Sequence, residues 1–89
     1  MNIKYIQNKK IIQSKIGDEV VMMDIDSGFY FGLNSVASFI WGKLENEITL
    51  DDIISDLLGV YNVDRITCEN ETKIFLNQLL EKDIIKMIS

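Results

Sequence analysis

Residues 24–41 read DIDSGFYFGLNSVASFIW, and a change of periodicity inside this stretch decides the fold. In its first part, Phe29, Phe31 and Leu33 alternate with tyrosine and glycine, which is the period of a strand with one buried face. The Asp-Ser-Gly sequence just before them predicts a turn. Residues 28–33 are therefore predicted to form a strand that follows a turn.

A helix is predicted directly after this strand, beginning at Asn34 or Ser35. Asn46 is its predicted end. Apolar residues now recur at the i, i+3, i+4 and i+7 positions of one helical face, namely Ala37, Ile40, Trp41 and Leu44. This face turns the largest side chains of the helix towards the preceding strand.

Two further helices are predicted in the second half of the chain. Thr49 can cap the first of them, with Asp52 at the third helical position, and the apolar stripe weakens at Gly59. The other helix is predicted from Asp64 to about Lys82. Its broad apolar stripe consists of Cys68, Thr72, Phe75, Leu76, Leu79 and Leu80.

The N-terminal third is predicted to be a small antiparallel sheet. Residues 1–16 have a β-rich composition that suits one or two short strands, and residues 17–18 are a turn. Residues 19–25 form a compact apolar run that is short enough for another strand. Together with residues 28–33, these segments predict a three-stranded meander.

The predicted architecture is one α+β domain covering residues 1–89. A three-stranded antiparallel sheet precedes three helices, which is the make-up of a winged helix-turn-helix with its sheet placed first. The apolar residues 84–88 must pack back on this body, either as a last helical turn or as a short strand.

The composition argues against several classes of function. A net charge of −5, from 9 basic and 14 acidic residues, is unsuited to a nucleic-acid partner. The chain has no histidine, so it has no imidazole metal ligand and no Ser-His or Cys-His pair. The acidic pairs look like first turns of helices and not like a general acid with a base. We therefore predict a protein that is not an enzyme and that has no metal or cofactor.

The expected location is the cytoplasm, without a membrane partner. No apolar run approaches the ~20 residues of a membrane span, and the N-terminus lacks the apolar segment of a signal peptide. Cys68 is the single cysteine, which is consistent with a reducing compartment. Its place on the helical stripe predicts an inert, buried thiol.

Several segments together resemble the PqqD-like proteins, which are the stand-alone precursor-peptide recognition elements of ribosomally made, modified peptides. The segments are GFYFGLN at 28–34, Trp41 seven residues after Asn34, TLDDI at 49–53, FLNQLL at 75–80 and Ile-Ile at 84–85. The resemblance extends over about residues 12–88. One departure is Asp83, because the family usually has glycine before its final apolar pair.

The resemblance implies a non-catalytic adaptor. Family members bind the leader segment of a precursor peptide as an added antiparallel strand, in the groove between the third strand and the third helix, and deliver it to a partner enzyme. The residues support this mode independently, because an edge strand at 28–33 has unpaired N–H and C=O groups that favour β-augmentation. The predicted peptide contacts are Phe29, Tyr30, Phe31, Gly32, Leu33, Thr72, Lys73, Leu76 and Leu80.

Core packing is the alternative interpretation of these residues. It is favoured for Phe31 and Leu33, as for Phe75 and Leu79 on the third helix, because a small domain must bury its largest side chains. For Leu76 and Leu80, at the edge of the helical stripe, core packing and groove lining are equally compatible with the pattern. By strand alternation, Tyr30 faces away from its two phenylalanine neighbours.

The pattern of glycine, aromatic residues and Leu-Asn resembles most closely the members that serve lasso peptide biosynthesis, which implies a leader peptidase as the partner enzyme. An adaptor for a radical S-adenosylmethionine enzyme is the alternative within the family. Outside it, the rivals are a winged-helix transcription regulator, which needs a positive surface, and a subunit whose edge strand pairs with its own copy in a weak homodimer.

Overall fold

The computed structural model describes residues 3–89, and it contains six strands and three helices. The strands are β1 (Lys4–Gln7), β2 (Ile11–Ile16), β3 (Glu19–Asp24), β4 (Tyr30–Leu33), β5 (Ile48–Thr49) and β6 (Ile85–Ile88). The helices are α1 (Ser35–Lys43), α2 (Leu50–Val60) and α3 (Arg65–Glu81). The predicted α+β class, with a three-stranded antiparallel sheet before three helices, is confirmed.

The predicted meander is the sheet β2-β3-β4, in which Met22 pairs with Phe31 and Val20 with Leu33. The last strand begins at Tyr30 and not at residue 28, because Gly28 belongs to the preceding turn and has a φ of 73°. A positive φ of this kind suits glycine, which has no Cβ to clash. The hairpin is closed by the N–H of Asp24, which donates to the carbonyl of Phe29 at 2.9 Å.

A second sheet, β5-β1-β6, was not anticipated from the sequence. Tyr5 of β1 pairs with Ile48 on one side and with Met87 on the other. The C-terminal segment is therefore a strand, which decides between the two alternatives left open for it. Its partners lie far away in the chain, and local sequence patterns carry little information about such pairings.

All three predicted helix starts are confirmed by their caps. The side chain of Asn34 accepts from the N–H of Ala37 at 2.9 Å, and that of Asp64 accepts from Thr67 at 2.9 Å. The Thr49 hydroxyl accepts from the N–H of Asp52 at 3.2 Å. These bonds satisfy N–H groups that the first turn of a helix leaves unpaired. The first helix ends at Lys43, three residues before the expected Asn46.

The end of α3 explains how aspartate replaces the usual glycine at position 83. Asp83 has a φ of 59°, in the left-handed region. The N–H of Ile84 donates to the carbonyl of Leu79 at 2.9 Å, and the N–H of Asp83 donates to Leu80 at 3.0 Å. This is a Schellman cap, which requires a left-handed residue, and aspartate adopts that conformation more readily than most side chains do.

The core lies between the β2-β3-β4 sheet and the three helices. Its largest member is Trp41, which is 1% exposed and whose indole N–H donates to the side chain of Gln13. Leu33, Leu79 and Cys68 are buried with it, as expected from their periodicity. No helix within residues 3–89 is both long and apolar enough to cross a membrane.

Lys10 ties the loops of the two sheets together. Its ammonium lies 3.1 Å from a carboxylate oxygen of Asp24 and 3.2 Å from one of Asp83. Burial acts to raise the pKa of Asp24, but Lys10 and the N–H of Asp26 lower that pKa more strongly, so that it falls below its ordinary value of 3.8. The hydrogen bonds that the Lys10 ammonium donates to the two carboxylates, of Asp24 and Asp83, in turn raise the pKa of Lys10 above its ordinary value of 10.5.

Replacing Asp24 by asparagine is expected to lower the Tm at neutral pH and to flatten the acid limb of the stability curve. Because folding lowers the pKa of Asp24, its contribution is present above the unfolded value near 3.8 and is lost as the pH falls through the folded value. The raised pKa of Lys10 preserves the pair until the pH rises beyond 10.5. Thermal unfolding followed from about pH 2 to about pH 7 checks this. Asp26→Asn, at an exposed carboxylate 3.9 Å from Lys10, should change the curve less, and equal curves would contradict the role of the buried carboxylate.

Candidate functional site

Strand β4 forms one edge of its sheet, and its outer side has no strand beside it within the described part of the chain. Backbone groups of successive residues in an antiparallel strand point alternately to either side. Since the carbonyl of Phe29 accepts from the N–H of Asp24 on β3, the backbone groups of Phe31 and Leu33 also face β3. At Leu33 the Ser38 hydroxyl bridges the two strands, because it donates to the Leu33 carbonyl at 3.1 Å and accepts from the N–H of Val20 at 2.9 Å. The N–H and C=O groups of Tyr30 and Gly32 therefore point outward, and they offer two donors and two acceptors to an added strand.

A groove of about 400 Å³ runs along this edge, between β4 and α3. We call it the β4–α3 groove. Its strand side is formed by Phe29, Phe31, Gly32 and Leu33, and its helix side by Phe75, Gln78, Leu79 and Lys82. An outward backbone edge beside an apolar wall is the arrangement that binds an extended peptide in β-augmentation.

The groove continues at both ends into neighbouring concavities. At the Phe29 end it opens towards Lys10 and Ile84, and Lys82 lines both parts. At the Asn34 end it opens into a cleft between α1 and α3 of about 370 Å³, which includes Val63 and Glu71. The continuous surface is thus longer than β4 itself, and it can accommodate more of a peptide than the residues that pair with the strand.

The structure brings four of the five strand residues predicted as contacts to this groove. Phe29 and Phe31 stand edge to face in it, with ring centroids 5.6 Å apart. Tyr30, by contrast, is 68% exposed on the opposite face of the sheet, as its alternation with the phenylalanines requires. Its backbone faces the edge, although its side chain does not line the groove.

None of the four predicted residues of the third helix lines the β4–α3 groove itself, although one of them, Thr72, lines the cleft that continues it. Thr72 and Leu76 are 3% and 1% exposed, and the side chain of Lys73 lies 3.9 Å from the Glu69 carboxylate. Leu80 is partly buried against the core.

Periodicity fixes which residues of a helix share a face, but it does not fix which element that face contacts, so it could not select the helix residues that line the β4–α3 groove. The face towards β4 carries Phe75, Gln78, Leu79 and Lys82, at i, i+3, i+4 and i+7. From the sequence, Phe75 and Leu79 were predicted to lie in the core, and the polar residues Gln78 and Lys82 were not selected. The four residues have the regular spacing of one helical face, but two of them are polar, so the face does not stand out as an apolar stripe.

The groove has a positive end. The ammonium of Lys82 lies 4.9 Å from the ring centroid of Phe29, within the range of a cation–π contact. This contact keeps the ammonium beside the ring of Phe29, and Lys82 is exposed to solvent. A cation is therefore already in position where the first residues of β4 meet the end of α3.

A larger concavity, of about 470 Å³, lies beside β2 on the other edge of the same sheet. There the N–H of Ile25 donates to the carbonyl of Lys10, so alternation leaves the backbone groups of Gln13 and Lys15 pointing outward. Several of its polar side chains already have partners: Gln13 accepts from the indole N–H of Trp41, and the Ser38 hydroxyl donates to the carbonyl of Leu33. Polar lining groups that are satisfied internally leave less for a ligand to bind, and we therefore favour the β4–α3 groove.

Known proteins are similar to this chain over most of its length. The family described as coenzyme PQQ synthesis protein D (PqqD) matches residues 19–85. TbiB1, solved in complex with the TbiA(beta) leader peptide, has a TM-score of 0.86 and 33% sequence identity, over 91% of this chain and 94% of that chain. A lasso peptide synthetase B1 complexed with the leader peptide shares the fold, with a TM-score of 0.81 and 23% identity, over 92% and 96% of the two chains. No curated protein sequence matches.

Proposed function

This chain belongs to the PqqD family, and from that premise we propose that it is a non-catalytic adaptor for a ribosomally made precursor peptide. The leader segment of the peptide binds in the β4–α3 groove as an added strand. The observation that carries the proposal is the free edge of β4 beside an apolar helix face. TbiB1, at 33% identity, was solved with a leader peptide, which supports the same class of ligand here.

Backbone hydrogen bonds supply the part of the affinity that does not depend on sequence. The backbone of Tyr30 and Gly32 offers two N–H donors and two C=O acceptors, with the two-residue spacing that pairing with an antiparallel strand requires. Leader segments of different sequence therefore share one binding mode.

Side chains of the groove supply selectivity. Phe29 and Phe31 on the strand face Phe75 on the helix, so alternate residues of the peptide pack between aromatic rings. Aromatic anchors in desolvated pockets carry most of the binding energy at many interfaces. We expect the leader to carry apolar residues at alternate positions over the stretch that pairs with β4.

The bound leader is delivered to a maturation enzyme, which carries out the chemistry. We favour a leader peptidase of lasso peptide biosynthesis, because the GFYFGLN segment at 28–34 resembles the members that serve this pathway. An enzyme of the radical S-adenosylmethionine class is the alternative. A pull-down of the purified protein against each enzyme encoded beside its gene, with and without the leader, distinguishes the two.

Phe75→Ala is expected to weaken leader binding about tenfold or more, because it removes an aromatic anchor from the centre of the groove wall. The measurement is fluorescence anisotropy of a labelled synthetic leader, taken from the precursor gene beside this one and titrated with the protein. For the unmodified protein we expect a Kd of about 1 μM or below, which corresponds to about −8 kcal/mol or stronger.

Ile74→Ala is the matched control for this experiment. Ile74 is the neighbour of Phe75 on α3, but it is 59% exposed and lies outside the groove. Its truncation should leave the Kd within about twofold, as is usual for a surface residue away from an interface. Equal losses in both variants, or no saturable binding to the leader by the unmodified protein, would contradict the proposed function.

A further inference from the structure

Two charged side chains stand at opposite ends of the extended groove without an ionic partner. Lys82 lines the Phe29 end, and Glu71 lines the α1–α3 cleft at the other end. Within residues 3–89, no oppositely charged side chain lies within 4.0 Å of either one. Lys10, which also borders the Phe29 end, is bonded to the buried Asp24 at 3.1 Å and is therefore already compensated.

We propose that this pair of charges selects the charge order of the bound peptide. Lys82 takes an acidic side chain towards the C-terminal end of the bound segment, and Glu71 takes a basic side chain towards its N-terminal end. The inference rests on the proposed function, and it adds the class of peptide that the groove prefers.

The direction follows from the course of β4. The strand runs from Phe29, beside Lys82, to Asn34, where the groove opens into the cleft that contains Glu71. A peptide added antiparallel to β4 runs the other way, so its N-terminal part lies in the cleft and its C-terminal part reaches Lys82. The preferred peptide thus carries its basic residue before its acidic one.

The separation of the two charges sets their spacing in the peptide. Glu71 lies in α3 and Lys82 is its C-cap residue, 11 positions further along, which corresponds to about 16 Å along the helix axis. An extended strand covers that distance in about five residues. Because both side chains are long and flexible, a spacing of about four to six residues satisfies both ends.

Of the two charges, that of Lys82 is positioned by a contact within the protein. Lys82 is held against the ring of Phe29, at 4.9 Å from its centroid, so its ammonium is kept near the peptide path before binding. Because the lysine is exposed to solvent, its contribution is sensitive to salt and acts largely on the rate of association. The groove walls select apolar side chains, and the two charges select the orientation.

The test uses the labelled leader peptide encoded beside the gene, in its natural form and with each Asp or Glu replaced in turn by Lys. Lys82→Glu should raise the Kd for the natural leader about tenfold at low salt and less at high salt. One charge-reversed peptide should then bind Lys82→Glu more tightly than it binds the unmodified protein. Glu71→Lys should show the corresponding reversal with a Lys or Arg of the leader, about four to six residues earlier.

Lys86→Glu is the control, because it makes the same change of net charge at an exposed lysine of β6 that lines none of the groove. It should leave the Kd within about twofold.

The inference is overturned if Lys86→Glu weakens binding as much as Lys82→Glu, or if no reversed peptide recovers binding to Lys82→Glu. Lys73 is a lysine of α3 that lies outside the groove. The inference is likewise overturned if Lys73→Glu weakens leader binding and Lys82→Glu does not. The proposed function survives these outcomes as long as the unmodified protein binds the leader, whereas failure of that first titration removes both.

Discussion

Gly32→Pro is expected to weaken leader binding about 30-fold or more while the protein remains folded. The outward N–H of Gly32 is one of the two donors that β4 offers to an added strand, and proline removes it. A peptide carbonyl left without a donor in the groove loses about 1–3 kcal/mol, and the proline ring also obstructs the approach of the strand. Anisotropy titration with the labelled leader measures the loss.

The fold should tolerate this proline. An edge strand accepts proline where the N–H faces away from the sheet, and a Cβ at Gly32 meets nothing closer than the carbonyl oxygen of Val20 at 4.0 Å. Lys15→Pro is the matched control, because it removes an outward N–H from β2 at the opposite edge of the same sheet. Binding that survives in Gly32→Pro, or that falls equally in Lys15→Pro, would exclude β4 as the recognition edge.

Leu76→Ala is expected to destabilise the whole domain by about 3–5 kcal/mol, as truncations of buried leucines do. Leu76 is 1% exposed and packs within the core. A domain of 89 residues has a total stability of about 4–13 kcal/mol. The variant should therefore lose much of its stability, and its Tm should fall by more than about 12 °C.

Thermal unfolding monitored by circular dichroism checks this prediction, with Ile66→Ala as the control on the same helix. Ile66 is 75% exposed, and its truncation should change the stability by less than about 0.5 kcal/mol. A Leu76→Ala protein with normal stability and weakened leader binding would contradict the core position. It would instead support the sequence-based prediction that this leucine contacts the peptide.

Local features of the fold were predictable because each one depends on residues that are close together in the chain. The caps at Asn34, Thr49 and Asp64 and the β2-β3-β4 meander are of this kind. Hydrophobic periodicity also identified Leu33, Trp41, Cys68 and Leu79 as buried members of the core, but it did not assign Leu76 to the core. The second sheet was not predictable, because the partners of β1 lie about forty and eighty residues further along the chain, and no local pattern specifies such a pairing.

In the candidate site, the strand side could likewise be predicted from the sequence, and the helix side could not. Alternation along β4 placed Phe29 and Phe31 on one face and Tyr30 on the other, and it needs no knowledge of the rest of the fold. The helix side of the groove depends on how α3 is rotated against the sheet, which tertiary packing decides. For that reason Gln78 and Lys82, which line the groove, were missed by reasoning from the sequence.

The most direct test of the account is amide hydrogen exchange of single residues, measured by NMR with and without the leader peptide. The outward amides of Tyr30 and Gly32 should exchange quickly in the free protein and become protected in the complex, because the peptide strand bonds to them. The amides of Gln13 and Lys15, which point outward at the other edge of the same sheet, should remain fast in both states. Protection at the β2 edge, or a saturated complex in which Tyr30 and Gly32 still exchange quickly, would contradict the proposal that β4 receives the leader.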